Sequence, residues 1–153
     1  MRKNENFDVV LAKDCARAFT TSTGLGTVVS LADGEPLATY GTYHCENCRI
    51  CQLAGKQHTL CIQSHIYGMN EAERFGGKYV YFCPLGLTCF TSPIVGTDST
   101  DAKITVGPFL MMGRQDYIHD DLLPRAQMPY DLQELTAEVQ KLSLIHISEP
   151  TRP

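Results

Sequence analysis

An α+β fold is predicted, a five-stranded antiparallel sheet with helices covering one face and a cysteine-rich loop. Three observations predict it: short β-branched runs parted by turn residues, segments of helical period before and after them, and an irregular stretch carrying Cys45, Cys48 and Cys51. The chain has 153 residues, 43% of them hydrophobic and 20% charged, which is enough for one domain with its own core. The formal net charge is −4 and no dense Lys/Arg run occurs, so direct binding of nucleic acid by this domain is not expected. No apolar run reaches the roughly 18 residues a membrane span needs, and residues 1–8 lack an apolar signal segment. A cytoplasmic location is expected. In that reducing setting clustered cysteines more often bind metal or pack than form disulfides.

The elements follow in order. Phe7, Val10, Leu11, Cys15, Ala18 and Phe19 fall on one face at helical spacing over residues 7–21, and Thr23-Gly24 ends the pattern. The run 27–31 and the run 36–40 flank Asp33-Gly34, a pair suited to a hairpin tip because glycine tolerates positive φ. Residues 42–60 are irregular. Helical spacing returns with Cys61, His65, Gly68, Ala72 and Phe75, and Gly76-Gly77 closes it. Three strands are predicted over 79–83, 87–95 and 103–112, with a polar turn over 96–101. Leu132, Leu135, Val139 and Leu142 mark a last amphipathic helix, expected to project as a dimeric coiled-coil connector.

Three units are expected: a domain over 1–130, the connector over 131–142 and a tail over 143–153. The end of the chain, Leu-Ser-Leu-Ile-His-Ile-Ser-Glu-Pro-Thr-Arg-Pro from residue 142, resembles the translation of a sequencing-library adapter. The tail is therefore expected to be non-native, and a missing output domain is expected in the natural protein.

The cysteines carry the chemistry. Cys45-x2-Cys48-x2-Cys51 precedes Cys61-x3-His65, whose two side chains share one helix face, and Cys83 lies on a strand. Zinc takes four such soft ligands in a tetrahedron. The three-cysteine run equally resembles an iron–sulfur ligand run. Zinc and an iron–sulfur cluster are thus the two expected cofactors, with Cys45, Cys48, Cys51, Cys61, Cys83 and His65 as candidate ligands. Cys15 and Cys89 stand alone in apolar surroundings and are expected to pack as small hydrophobes. His44 and His58 are expected in solvent, as are the carboxylates Asp98, Asp101, Asp120 and Asp121.

No nucleophile elbow, phosphate-cradling loop or His-Glu-x-x-His occurs. A Cys61–His65 nucleophile pair is conceivable, but neighbours four apart on a helix seldom reach a third orienting group. The chain is not expected to be an enzyme, and no catalytic residue is assigned.

Phe82-Cys83-Pro84-Leu85-Gly86-Leu87, followed by Phe90-Thr91-Ser92-Pro93-Ile94-Val95, resembles the signature of PocR sensory domains. Asp33-Gly34-Glu35-Pro36, the Cys48 to Cys61 interval and Gly107-Pro108-Phe109 extend the likeness over roughly residues 7–130. The resemblance implies a PAS-like fold and the sensing of a small hydrocarbon derivative such as a diol or alcohol, upstream of a signalling or transcriptional output. It also implies that Cys48, Cys61 and Cys83 are the family cysteines. The chain departs from the pattern at Pro84, where histidine is common, at His65, where aspartate is common, and in having Cys45, Cys51 and Cys89. In a PAS-like fold the pocket lies between sheet and helices, and Val29, Tyr79, Tyr81, Phe90 and Met111 are the expected ligand-binding residues. A zinc or iron–sulfur redox sensor using the cysteines as detector is the rival reading.

Overall fold

The computed structural model describes residues 8–95 and 100–145. Phe7, residues 96–99 of the expected turn and residues 146–153 of the expected tail lie outside the described residues. Helix α1 (Val9–Thr23) is capped by Asp8, whose side chain accepts from the Leu11 amide, and ends at Gly24 in the left-handed region. Strands β1 (Thr27–Leu31) and β2 (Pro36–Tyr40) form the hairpin around Asp33-Gly34. The cysteine loop carries one short helix, α2 (Ile50–Leu53), before α3 (His58–Arg74). Strands β3 (Tyr79–Phe82), β4 (Thr88–Val95) and β5 (Thr100–Leu110) follow. Strand β5 begins before residue 103, so Asp101 belongs to it and not to a turn.

The five long strands are antiparallel in the order β2-β1-β5-β4-β3, which puts the last strand in the middle of the sheet. This is an open α+β sheet of the PAS-like kind. Strand register sorts the side chains. Val28 faces Thr105 and Ser30 faces Lys103 across β1–β5, while Tyr81 faces Cys89 across β3–β4. Directly opposed residues share a face, so these polar and sulfur-bearing groups lie on one side of the sheet, and Val29, Ile104 and Phe90 lie on the other.

Helices cover both faces, where one covered face was expected. Helix α3 and the cysteine loop lie over the first face. Helix α1 lies on the second, packing Ala12 and Ala16 against Val29, Ala38 and Ile104. The α1 face expected to be buried is the one left outside: Val10 is 69% exposed and Leu11 58%. Two alanines let the helix backbone come close to a strand surface already filled by Val29 and Ile104, and larger side chains would hold it off.

The largest core lies at the end of the sheet near β3–β4. Helical segments α4 (Arg114–Tyr117), a π-helical turn (Ile118–Leu122) and α5 (Leu123–Arg125) lead to α6 (Leu132–Gln140), capped by Asp131. Leu135, Val139 and Leu142 join Ile50, Leu85, Leu87 and Tyr117 in one apolar cluster, and the Tyr117 hydroxyl donates to the Leu85 carbonyl at 2.8 Å. Three of the four residues of the stripe expected to face a partner across a coiled coil are thus turned into the domain's own core, and Leu132 is 49% exposed. Ser143 and Leu144, expected in the tail, form β6 and pair in parallel with Phe109 and Leu110.

Candidate functional site

Two glycines bring the cysteine loop and α3 onto the sheet. A Cβ on Gly26 would overlap the Tyr43 carbonyl oxygen, so the absence of a side chain there lets the start of the loop lie against β1. A Cβ on Gly68 would stand 2.6 Å from the Tyr81 ring, so this glycine lets the ring lie flat on α3. From there the Tyr81 hydroxyl reaches His65 Nδ1 one helical turn earlier. The loop is fixed internally by the His44 amide donating to Asn47 Oδ1 at 2.9 Å and by Tyr43, whose hydroxyl reaches Cys48 Sγ at 3.3 Å and Glu138 at 3.2 Å.

The result is a chamber lined by Cys45, Cys48, Cys51, Cys61, His65, Cys83 and Cys89, and closed by Leu85, Leu87 and Pro108. All six expected ligand residues border it. Cys89, expected merely to pack, borders it too. Cys45, His65 and Cys89 present ligand atoms all within 4.8 Å of one another, with the two sulfurs 4.0 Å apart. Cys61 Sγ lies 3.5 Å from His65 Nε2. In a zinc tetrahedron with bonds of about 2.3 Å to sulfur, neighbouring ligand atoms stand roughly 3.5–4 Å apart, so this spacing suits such an ion. The alternation of β4 places Cys89 on the face of Thr91, opposite Tyr81. That alternation is the one sequence signal from which its position was readable.

The thiols differ in acidity. The Cys89 thiol donates to Cys45 and His65 adds to the effect, so Cys45 is held down at about 6 while Cys89 is pushed well up. Cys61 stands to Cys51 as Cys89 does to Cys45, so Cys51 is lowered and Cys61 raised. Burial raises Cys48 to about 11 and Cys83 to about 12. Cys45 is thus disposed to be a thiolate, the form that binds metal. Tyr81 supplies the third orienting group that the Cys61–His65 spacing alone did not promise. Yet Cys61 keeps its proton, the opposite of an activated nucleophile. In the tautomer whose Nδ1–H is donated to the Tyr81 hydroxyl, Nε2 is free to offer a lone pair to the chamber, the usual support for a metal-binding histidine.

A second cavity of about 80 Å³ adjoins the first and shares Cys45 and His65 with it. It opens between β1, β5, the hairpin tip and the loop, and Val28, Ser30, Lys103 and Thr105 form its floor on the sheet. None of the five expected ligand-binding residues lines it. Val29 points to α1, Phe90 packs beside Leu25, Val106 and Phe109, and Met111 is 45% exposed. Tyr79 and Tyr81 line a separate groove along the edge of the sheet beside Tyr67. His44, expected in solvent, is buried, and its Nδ1 has no partner among the described residues. The side chain of His58 lies outside the described ones.

A comparison with known families matches residues 5–149 to the sensory domain found in PocR. The chain belongs to the PocR sensory-domain family. The match takes in α6 and β6, so the family region of this PocR domain includes the elements expected as connector and the start of the expected tail. No curated protein and no solved structure matches the chain. Among the described residues of this PocR domain, no helix is long and apolar enough to cross a membrane.

Proposed function

We propose that this PocR domain is a non-catalytic, cytoplasmic sensor of a small oxygenated organic molecule, of the size of a short alcohol or diol, with a cysteine-bound metal beside the ligand. The observation that carries the reading is the pair of adjoining cavities with Cys45 and His65 in their common wall. The sheet pocket is about 80 Å³ and is lined by the hydroxyls of Ser30 and Thr105, the aliphatic Val28 and Ile62, and the charged side chains of Lys103, Asp33 and Glu46, as a small polar ligand requires. The thiol chamber, about 30 Å³, is too small for such a molecule and suits a single ion.

Zinc fits the chamber better than an iron–sulfur cluster, whose several irons and sulfides need more room. Cys45, Cys89 and His65 would hold it, with Cys61 nearest as fourth ligand and Cys48, Cys51 and Cys83 in the same wall. A structural zinc contributes about 10–16 kcal/mol to folding, against a net stability of about 5–15 kcal/mol for a whole domain. The ion would therefore decide how firmly the loop is held over the pocket. A homodimer seam at 131–142 is not carried into this proposal, because Leu135, Val139 and Leu142 of its stripe are buried in the domain and only Leu132 is exposed.

The test is metal analysis of anaerobically purified protein, followed by a thermal-shift screen of short alcohols, diols, aldehydes, amines and carboxylic acids, in which a shift from any one class supports the reading. The reading expects a colourless protein with zinc bound. A ligand at 100 times its Kd adds about 2.7 kcal/mol, a rise of several degrees in Tm. A visible spectrum that bleaches in air would replace this reading with the iron–sulfur redox sensor.

A further inference from the structure

Lys103 is a cation in an unusual place. It sits in the middle of β5, the central strand, opposite Ser30 on one side and Pro93 on the other, and is only 3% exposed. Burying an ammonium without a partner costs several kcal/mol, so buried lysines are normally paired. None of the ion pairs among the described residues includes it. Its side chain lines the sheet pocket together with the hydroxyl-bearing Ser30 and Thr105. Three groups that can be anionic share this pocket: Cys45, which on the proposed reading is taken up by the metal, and the carboxylates Asp33 and Glu46, which belong to the exposed hairpin tip and loop, where water screens them.

We propose that the molecule sensed in this pocket carries a carboxylate, and that the Lys103 ammonium receives it. The inference rests on the reading of the pocket as the sensing site and narrows its ligand from weakly polar molecules to short monocarboxylic acids. The carboxylate oxygens take the lysine protons as charge-assisted hydrogen bonds, which are about twice as strong as neutral ones. Ser30 and Thr105 are placed to donate beside it, and Val28 and Ile62 receive the short carbon chain. The pocket volume limits that chain to about two or three carbons. Lys103 is the one lysine or arginine in the pocket lining, so a second carboxylate finds no such partner there and monoacids bind ahead of diacids.

The experiment is a thermal-shift and calorimetric titration of the full chain, metal retained as purified, at constant ionic strength. The probes are acetate, propionate and lactate, with acetamide, 1-propanol and 1,2-propanediol as neutral counterparts and succinate as the diacid. The monocarboxylates are expected to raise Tm and the neutral and diacid probes not to. Lys103→Met keeps the aliphatic stem and removes the charge. It should fold at least as well as the parent, because the buried cation is gone. Its affinity for the acids should fall by about tenfold to a hundredfold, as the loss of a charged hydrogen bond predicts. Lys103→Arg, which keeps a cation, should retain part of the response. Shifts from the neutral probes alone would overturn the carboxylate inference and leave the sensing pocket standing. Shifts from the acids that survive in Lys103→Met would overturn the role of Lys103. No shift from any probe in a folded, metal-loaded protein would overturn both.

Discussion

At the scale of single residues, the six-cysteine chamber is not uniform. Cys45 is the sulfur that ionises first, because Cys89 donates to it and His65 lies beside it. In metal-stripped protein, alkylation of Cys45 should therefore have a midpoint near pH 6 and slow as the pH falls below it, since only the thiolate reacts. Cys89→Ala removes the donor and should move that midpoint up toward the ordinary thiol value. Peptide mass spectrometry across pH 5–9 would read both, and an unchanged midpoint would show that the Cys45–Cys89 contact does not tune the thiol. Tyr81 acts one step further out. Tyr81→Phe deletes only the hydroxyl that fixes His65 Nδ1, so zinc affinity should drop about tenfold to a hundredfold while the fold persists. Competition against a zinc chelator measures that loss.

At the scale of elements, the proposed reading makes the cysteine loop depend on the metal it would enclose. Stripping the metal should release amide protection over residues 42–57, while amides in the β1–β5 ladder keep theirs, which hydrogen exchange resolves segment by segment. Equal loss in loop and sheet would mean the cysteines hold the whole fold. The hairpin was legible in the sequence because its signal is local: Asp33-Gly34 lies between two β-branched runs, and Gly34 takes the positive φ such a turn needs. The gathering of the cysteines was legible as a list of soft ligands. Cys89 was not, because its partner Cys45 is 44 positions away and only sheet register brings them together. Val29, expected to line a ligand pocket, faces α1, and its neighbour Val28, one step of strand alternation away, is the residue that lines the sheet cavity. Lys103 escaped for a similar reason, as a charged residue in a strand reads as solvent-facing until the strand proves to be central. The face of α1 was misread because periodicity finds the larger apolar stripe, whereas the sheet admitted the smaller one, Ala12 and Ala16.

At the scale of the whole molecule, α6 and the residue after its cap close the main core. Leu142 is fully buried there, and the Ile145 amide donates to the Leu110 carbonyl at 2.8 Å. If residues after 145 contribute nothing to the fold, a chain ending after Ile145 should melt within about a degree of the full chain. A chain ending after Lys141 loses Leu142 and β6, and should melt several degrees lower, in line with about 2–5 kcal/mol for a buried leucine. Differential scanning calorimetry of the two truncations separates the outcomes, and equal melting points would place the domain boundary before Leu142.

Cys45 and His65 face both cavities, so an occupant of one fixes part of the surface offered to an occupant of the other. Thermodynamic reciprocity then requires that a metal which tightens the grip on a ligand is itself gripped tighter by the same factor once the ligand is in. On the proposed reading the domain answers to two concentrations at once. A cell starved of the metal would give a muted reply to a full dose of the signal, and abundant metal alone would give none. Two side chains in a shared partition would make the receptor a coincidence detector, a logical conjunction written in sulfur and imidazole.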